Sequence, residues 1–166
     1  MTTTIKPVYT EKQYLGREWI PVTIRLVLAM ICFAVYFFTD YENDRNADLL
    51  AVAGFGIIII SIIMGFLLHF RTRVQNKSIL LDGLWTTRLV KIDLNSIVKA
   101  EQGDYSRYLF NNPVYNLHKK GTIRFYTAGN CAIYLTDRDG LVYIIGSQRP
   151  NELLQAIESE MNSPVL

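Results

Sequence analysis

The sequence predicts a membrane-embedded hairpin of two α-helices, followed by an all-β domain that ends in one more α-helix. Two long apolar runs near the N-terminus are separated by a short acidic segment. The second half of the chain instead alternates short β-prone runs with turn signals, and an amphipathic helical stripe closes it. The net charge of +2 for the whole chain conceals this division, because basic and acidic residues concentrate in different segments.

Residues 1–19 are expected to form a cytoplasmic N-terminal segment, and the first helix of the hairpin follows at residues 20–39. This run carries one charge, Arg25, and a charge inside a membrane span is costly. Because Arg25 lies near the N-terminal end of the run, its guanidinium can reach back to the headgroups beside Arg17 and Trp19. An alternative is a cleaved signal peptide, but the run ends in Tyr-Phe-Phe-Thr instead of the small residues of a cleavage site.

The second helix of the hairpin is predicted at residues 49–70, which include no Asp, Glu, Lys or Arg. A helix of this length extends roughly 33 Å, enough to cross a hydrocarbon core about 30 Å thick. Gly54, Ser61 and Gly65 share one face of it, where a second helix can approach closely. That second helix is either the first arm of the hairpin or a separate partner protein.

Positive charges at the ends of the two runs predict how the hairpin is oriented. The flanks hold most of them, while the loop at residues 40–48 has one: Lys6, Lys12 and Arg17 precede the first run, Arg45 lies in the loop, and Arg71, Arg73 and Lys77 follow the second run. Cytoplasmic flanks carry the excess of Lys and Arg, so both termini are expected in the cytoplasm of a bacterial-type inner (plasma) membrane. His69 then lies at the inner boundary, as an interfacial anchor or as a proton relay, and residues 71–77 form a linker.

Residues 78–162 are predicted to form a cytoplasmic domain of six to eight strands. Asp82-Gly83 separates two β-prone runs, and such a pair predicts a two-residue hairpin turn. Residues 137–140 separate a second pair of runs, 131–136 and 141–145, in the same way. Further strands are predicted at 92–101 and 122–127, and two short ones within 105–117.

The chain is predicted to end in an amphipathic helix. Pro150 suits a first helical turn, since its missing N–H costs nothing there, and Glu152 favours the positive end of the helix dipole. The apolar stripe of this helix consists of Leu153, Leu154, Ile157 and Met161. A single helix after a run of strands is expected to cover the open end of a sheet pair or of a barrel.

Residues 78–161 resemble the bacterial pleckstrin-homology-like (PH-like) domains of small membrane proteins. The resemblance is carried by ILLDGL at 79–84, DGLVYIIGS at 139–147 and the helix start PNELL at 150–154. It implies a seven-stranded, partly open barrel capped by the C-terminal helix, and no catalytic residues. Phosphoinositide-binding members of the wider fold use a basic loop between the first two strands. The corresponding Asp82-Gly83 has no Lys or Arg, so phosphoinositide binding is not expected.

The sequence contains no motif for nucleophilic catalysis, phosphate binding or zinc binding. Asp137 and Asp139 flank a turn, which accounts for both carboxylates without acid–base chemistry. Cys32 and Cys131 are read as reduced, small apolar residues. We therefore expect no enzyme activity, no cofactor and no metal, and the small charge excess argues against nucleic acid as a partner.

One candidate binding patch stands out, near a predicted loop. It consists of His118, Lys119, Lys120, Arg124 and Arg107. These side chains could contact anionic lipid headgroups, at about 1 kcal/mol per charge near a membrane surface, or a protein partner. The alternative is a solvated loop whose charges keep the domain soluble. The nearby aromatic residues Tyr105, Tyr108, Phe110 and Tyr115 are expected in the core or against the membrane, in preference to a ligand pocket.

The expectation for function is a non-enzymatic integral membrane protein. Its hairpin anchors a cytoplasmic interaction module, which binds a protein partner or self-associates. The alternative is a small oligomeric transport or channel subunit, or an accessory subunit of a membrane complex. Apart from Arg25, the two apolar runs hold no charge of the kind that marks an ion or substrate path.

Overall fold

The computed structural model describes residues 6–38, 45–83, 87–105, 121–125 and 130–163. The chain divides into two compact units. One is helical and covers Tyr14–Leu68, and the other combines Met1–Gln13 with His69–Leu166. The second unit therefore draws its residues from both sides of the helical unit in the sequence.

The helical unit consists of a 3₁₀ turn at Leu15–Arg17 and two helices, α1 at Trp19–Phe38 and α2 at Arg45–Leu67. Both helices are long and apolar enough to cross a membrane, and only 6% of each apolar segment is buried. They pack as an antiparallel hairpin. The Phe33 and Phe55 rings meet edge to face with their centroids 5.0 Å apart. Residues 39–44, which connect the helices and include most of the predicted loop, lie outside the described residues.

The small residues of α2 divide between two environments. A Cβ atom added to Gly54 would lie 2.9 Å from the tip of the Phe33 ring, so Gly54 belongs to the contact between the two helices. A Cβ atom added to Gly65 would have no other atom within 4 Å. Packing between the two helices thus explains why a small residue lies at Gly54. At Gly65, near the end of the same face, no packed neighbour among the described residues requires a small residue.

The β unit contains eight described strands in two four-stranded sheets. The first sheet has the order β1-β2-β3-β4 and the second the order β5-β7-β8-β6. Their bounds are β1 Tyr9–Tyr14, β2 His69–Gln75, β3 Ser78–Gly83, β4 Thr87–Asp93, β5 Ile97–Asp104, β6 Thr122–Phe125, β7 Cys131–Asp137 and β8 Val142–Gly146.

The described strands form two sheets that are not closed into a barrel, whereas a partly open barrel was expected. A barrel needs hydrogen bonds between all neighbouring strands around its circumference. Here the chain leaves the first sheet after β4 and turns at Leu94, whose carbonyl accepts a hydrogen bond from the Ile97 N–H at 3.2 Å. It then enters the second sheet as β5. The short strand β6 ends that sheet by pairing with β8 in parallel.

Two strands occupy segments that the sequence did not mark as strands. Strand β1 lies within the predicted N-terminal segment, and β2 covers most of the predicted linker 71–77. Helix α2 therefore ends at Leu67 instead of residue 70. Along β2 the buried side chains alternate, with Phe70, Thr72 and Val74 all at most 2% exposed. Phe70 thus extends the apolar run of α2 in the sequence while belonging to the core of the sheet.

The tight turn of the first sheet is Asn76-Lys77, between β2 and β3. Both residues have positive φ angles, 49° and 52°, and Gln75 pairs with Ser78 across the turn. These values are those of a type I′ hairpin. Asp82-Gly83 instead closes β3, where Asp82 pairs with Arg71, so the predicted two-residue turn there is wrong. The connection from β3 to β4, residues 84–86, lies outside the described residues.

Of the remaining strand predictions, some are confirmed, one is wrong and one lies outside the described residues. The hairpin predicted around residues 137–140 is confirmed as β7 and β8, with Gly140 at a φ of +80° in the turn. The single strand predicted at 92–101 is in fact the end of β4, a turn and the start of β5. Strand β6 confirms the first part of the strand predicted at 122–127, and residues 106–117 lie outside the described residues.

The C-terminal helix, α3 at Pro150–Asn162, confirms the predicted amphipathic helix. It packs against β5 and β7 of one sheet and against β2 of the other. Leu153, Ala156 and Ile157 are buried in this contact, while Leu154 and Met161 are half-buried. The helix therefore covers a core that both sheets line. The largest fully buried side chains of this core include Phe70, Ile79, Leu81, Phe125, Ile133, Leu135, Ile145, Leu153 and Ile157.

Candidate functional site

Strand β1 turns three polar side chains toward the interior of the β unit. Tyr9, Glu11 and Gln13 are 6%, 5% and 1% exposed, while Thr10 and Lys12 between them are exposed. Alternation with period two is what a strand imposes on its side chains. Buried charges and amides require partners, so these three residues predict a hydrogen-bonded cluster.

The carboxylate of Glu11 is the centre of that cluster. Its Oε2 accepts hydrogen bonds from the Tyr9 hydroxyl at 2.7 Å and from the Ser147 hydroxyl at 2.6 Å. Its Oε1 accepts from the Gln13 amide at 3.1 Å and from the backbone N–H of Gln148 at 2.8 Å. An ionised carboxylate offers about four lone-pair positions, so these four donors saturate it.

The partners of Glu11 extend to the corner between β8 and α3. Gln13 also donates to the Gly146 carbonyl at 3.3 Å, and the Ser147 oxygen accepts from the Arg149 N–H at 2.9 Å. The guanidinium of Arg149 donates to the Thr10 carbonyl at 2.9 Å. We call the set Tyr9, Glu11, Gln13, Ser147 and Arg149 the β1 latch. It ties the segment before α1 to the last strand and last helix of the chain.

The chemistry of the β1 latch favours a structural role, in which it fixes β1 to the rest of the β unit, over a catalytic one. Burial raises the pKa of the Tyr9 hydroxyl above its ordinary value, with a further increase from Glu11, so Tyr9 stays a neutral donor. Ser147 donates its only proton to a carboxylate that already accepts from three other groups. With its lone pairs filled, Glu11 has no oxygen left for a metal ion or a substrate.

Of the predicted patch, the structure describes Arg124 alone; His118, Lys119, Lys120 and Arg107 lie outside the described residues, as do Tyr108, Phe110 and Tyr115. Arg124 lies on β6, paired with Ile144 of β8. With Asp104, Tyr105, Tyr134 and Ile144 it lines a cavity of about 110 Å³. This volume suits a few water molecules of about 30 Å³ each and is smaller than the roughly 300 Å³ of the smallest ligand pockets.

One wall of this cavity is built on a glycine. A Cβ atom added to Gly103 would lie 2.7 Å from the Tyr134 ring, so the ring rests across the bare backbone of β5. The Tyr134 hydroxyl then donates to the Asp104 carbonyl at 2.7 Å. Tyr105, which is 5% exposed, packs with Ala132 and Ile144 behind it. Tyr105 is therefore a core side chain.

Arg124 and Tyr105 are electrostatically linked. Burial raises the pKa of Tyr105 to about 12, and the positive charge of Arg124 opposes that increase. The folded state thus keeps the Tyr105 proton at pH values where an unfolded chain, with a pKa near 10, releases it. The stability that Tyr105 contributes is complete below about pH 10 and is lost as the pH rises toward 12.

We expect Arg124→Gln to raise the pKa of Tyr105 further, because the opposing positive charge is gone. Titration of tyrosine absorbance near 295 nm, with Tyr105→Phe to identify the signal, measures the change. Lys91→Gln, an exposed position on β4, removes the same charge at a distance and should leave the titration unchanged. Equal titration curves for Arg124→Gln and wild type would show that Arg124 does not act on Tyr105.

Sequence reasoning missed the β1 latch, although a signal was present. Tyr9, Glu11 and Gln13 have the spacing of one face of a strand, but their side chains are polar and gave no hydrophobic alternation. Their partners lie more than 130 residues away in the chain. Only the fold brings the two segments together.

Metal binding finds no support in the part of the chain that the structure describes. That part contains no group of three or more His, Cys, Asp or Glu side chains able to hold an ion. Cys32 and Cys131 are both free thiols, and they belong to different units.

Comparison with protein-family models, with curated proteins and with solved structures finds no match to this chain.

Proposed function

We propose that the chain is a non-enzymatic, multi-pass protein of the bacterial inner membrane. In this proposal α1 and α2 span the bilayer, and the β unit is a PH-like interaction module held at the cytoplasmic face. The module binds a protein partner or a second copy of the chain. Two covalent connections to the hairpin keep it close to the membrane, which raises its effective concentration toward other membrane proteins.

The observation that carries the proposal is the pairing of β1 with β2 in one sheet. Strand β1 precedes α1 in the sequence and β2 follows α2, and the Val8 N–H donates to the Val74 carbonyl at 2.9 Å. One sheet cannot be divided by a bilayer, so this pairing supports a topology in which both flanks lie on the same side. The β1 latch also argues against cleavage of α1 as a signal peptide, since cleavage would remove Tyr9, Glu11 and Gln13 from the core.

The distribution of charge supports a cytoplasmic location for that side. Basic residues concentrate in the segments before α1 and after α2, which is the arrangement of cytoplasmic flanks. The ends of α1 carry Trp19 and Phe38, which are 77% and 89% exposed. Exposed aromatic rings at both ends of an apolar helix are typical of the two membrane interfaces.

The edges of the two sheets support the interaction role. Strand β4 ends the first sheet and β5 ends the second. Each carries a large apolar side chain that is exposed to solvent: Leu89 of β4 is 66% exposed and Val98 of β5 is 59% exposed. Edge strands with exposed apolar side chains offer both backbone hydrogen bonds and contact area to another chain.

Single cysteines introduced into a Cys32→Ala, Cys131→Ala background test the proposal in intact cells. A membrane-impermeant maleimide should label Glu42→Cys, in the predicted external loop, but label Lys12→Cys and Val98→Cys only after the membrane is opened. Labelling of Lys12→Cys and Val98→Cys from opposite sides would contradict both the shared sheet and the topology.

The same chains test the interaction role. With a thiol-reactive benzophenone crosslinker activated by light in native membranes, Val98→Cys and Leu89→Cys should give a discrete product of higher mass. Met30→Cys, exposed on α1, is the matched control within the hairpin. Products from Met30→Cys in the absence of products from the two sheet positions would favour the alternative of a channel or transport subunit.

A further inference from the structure

The C-terminal end of α2 is held by two arginines from the start of the helical unit. The last carbonyls of a helix lack partners within it, and a positive charge is favourable beside them. The Arg17 Nε donates to the Gly65 carbonyl at 3.1 Å. An Arg25 terminal nitrogen lies 3.4 Å from the Met64 sulfur.

The guanidinium groups of Arg17 and Arg25 differ in how many of their hydrogen bonds are made to the protein. Arg25 reaches back along α1, as predicted, and donates to the Pro21 and Gly16 carbonyls at 2.9 and 3.2 Å. The guanidinium of Arg17 lies 4.3 Å from the centre of the Tyr14 ring and 5.2 Å from that of Phe66. Its terminal nitrogens donate no hydrogen bond to any residue that the structure describes. Arg17 is thus fixed in position with two amino groups available.

A groove of about 390 Å³ runs between α1 and α2 beside Arg17. It exists because Ser61 and Gly65 of α2 leave space there. Its walls are apolar and include Val22, Leu26, Ile58 and Ile62. The volume falls within the range of about 300–1,000 Å³ that is usual for ligand sites.

We propose that this groove holds an acyl chain of an anionic phospholipid, with the lipid phosphate bound by Arg17. The inference rests on the proposed function, since it requires the hairpin to lie in a bilayer. Arg17 precedes α1 and Gly65 is close to the end of α2, so both lie at headgroup depth. Ile58 is seven residues before Gly65 in α2, about 10 Å deeper at the rise of a helix. The polar and apolar parts of the groove therefore match the order of phosphate and chain in a lipid.

The positive charge of Arg17 at the mouth of the groove favours an anionic phospholipid as the occupant. A planar guanidinium with two available amino groups binds a phosphate through paired hydrogen bonds. A second copy of the chain would bring another Arg17 of the same sign to a symmetric contact, which is unfavourable. A groove of about 390 Å³ lined by apolar side chains also suits one flexible chain, since a second helix has a diameter of about 10–12 Å with its side chains.

Native mass spectrometry of the full-length protein in detergent tests the proposal, with dipalmitoyl phosphatidylglycerol and the zwitterionic phosphatidylcholine of equal chain length as probes. We expect one phosphatidylglycerol retained per chain. Arg17→Gln should lower its apparent affinity about ten-fold, the scale of a lost charge-assisted hydrogen bond. Gly65→Leu, which fills the groove, should lower retention of both lipids. The matched controls are Lys91→Gln for charge and Gly56→Leu for side-chain size, since a Cβ atom at Gly56 meets nothing within 4 Å.

Three results would overturn the proposal. One is equal retention of the two lipids with no effect of Arg17→Gln. Another is a loss of thermal stability in Arg17→Gln with unchanged lipid retention, which would leave Arg17 as a helix cap alone. The third is a dimer that Gly65→Leu abolishes, which would assign the groove to a second copy. Cysteine labelling does not depend on the lipid, so the topology can hold while the lipid site fails.

Discussion

Replacing Glu11 with alanine is expected to destabilise the β unit by about 3–5 kcal/mol, because several buried donors lose their acceptor at about 1–3 kcal/mol each. The substitution leaves four donors around an empty space: the Tyr9 and Ser147 hydroxyls, the Gln13 amide and the Gln148 N–H. A domain of this size has about 5–15 kcal/mol of total stability, so the loss is a large share of it. Thermal unfolding of the full-length protein in detergent, followed by circular dichroism, measures the change.

Two further variants make the Glu11 result interpretable. Glu11→Gln keeps one acceptor oxygen but turns an NH₂ group toward two of the donors, so it should lie between wild type and Glu11→Ala. Glu158→Ala removes an exposed carboxylate from α3 and should change stability by less than about 0.5 kcal/mol. If Glu11→Ala were as mild as Glu158→Ala, the β1 latch would not hold β1 in the sheet.

Gly16→Ala should loosen the helical hairpin by about 3 kcal/mol, the upper end of what an extra methyl costs in a packed site. A Cβ atom on Gly16 would overlap the Met64 carbonyl group and lie 2.9 Å from the Gly65 nitrogen. These are backbone atoms of α2, which cannot rotate away. Separation of the two segments would also break the contacts from Arg17 to the Gly65 carbonyl and from Arg25 to the Met64 sulfur.

Unfolding in mixed micelles with increasing sodium dodecyl sulfate measures this effect, with Trp19 fluorescence as the probe in a Trp85→Phe background. Two other glycines provide a graded control. Gly54→Ala meets only the tip of the Phe33 ring, which can move, so a smaller loss is expected. Gly56→Ala meets nothing within 4 Å and should be neutral or stabilising, as alanine is a better helix former. Equal effects at Gly16 and Gly56 would contradict the close approach.

The features that sequence reasoning predicted are those with a local physical cause. The two apolar helices follow from hydropathy, because an uninterrupted apolar run has few stable alternatives to a helix. The β7–β8 hairpin follows from its turn, where Gly140 adopts a positive φ. Helix α3 follows from Pro150 and the spacing of Leu153 and Ile157. Each of these signals acts over a few residues.

The features that it missed depend on distant partners or on competing signals. Phe70 was assigned to α2 because it continues an apolar run, yet its side chain enters the core of the β unit from β2. Asp82-Gly83 carried a turn signal in the sequence, but the type I′ turn formed at Asn76-Lys77, where the backbone N–H of Lys77 donates to Glu160 of α3 at 2.7 Å. The turn that formed is therefore accompanied by a tertiary hydrogen bond.

Periodicity and turn chemistry are local properties, so the order of residues is enough to predict two apolar helices of membrane-crossing length, a β-rich part and a closing helix. The membership of Tyr9, Glu11 and Gln13 in the β-rich part follows from the fold alone. A buried carboxylate is stable only where several donors surround it, and Ser147 and Gln148 reach Glu11 only once the fold is formed. The described residues up to Gln13 thereby belong to one β unit with the described residues after Leu68.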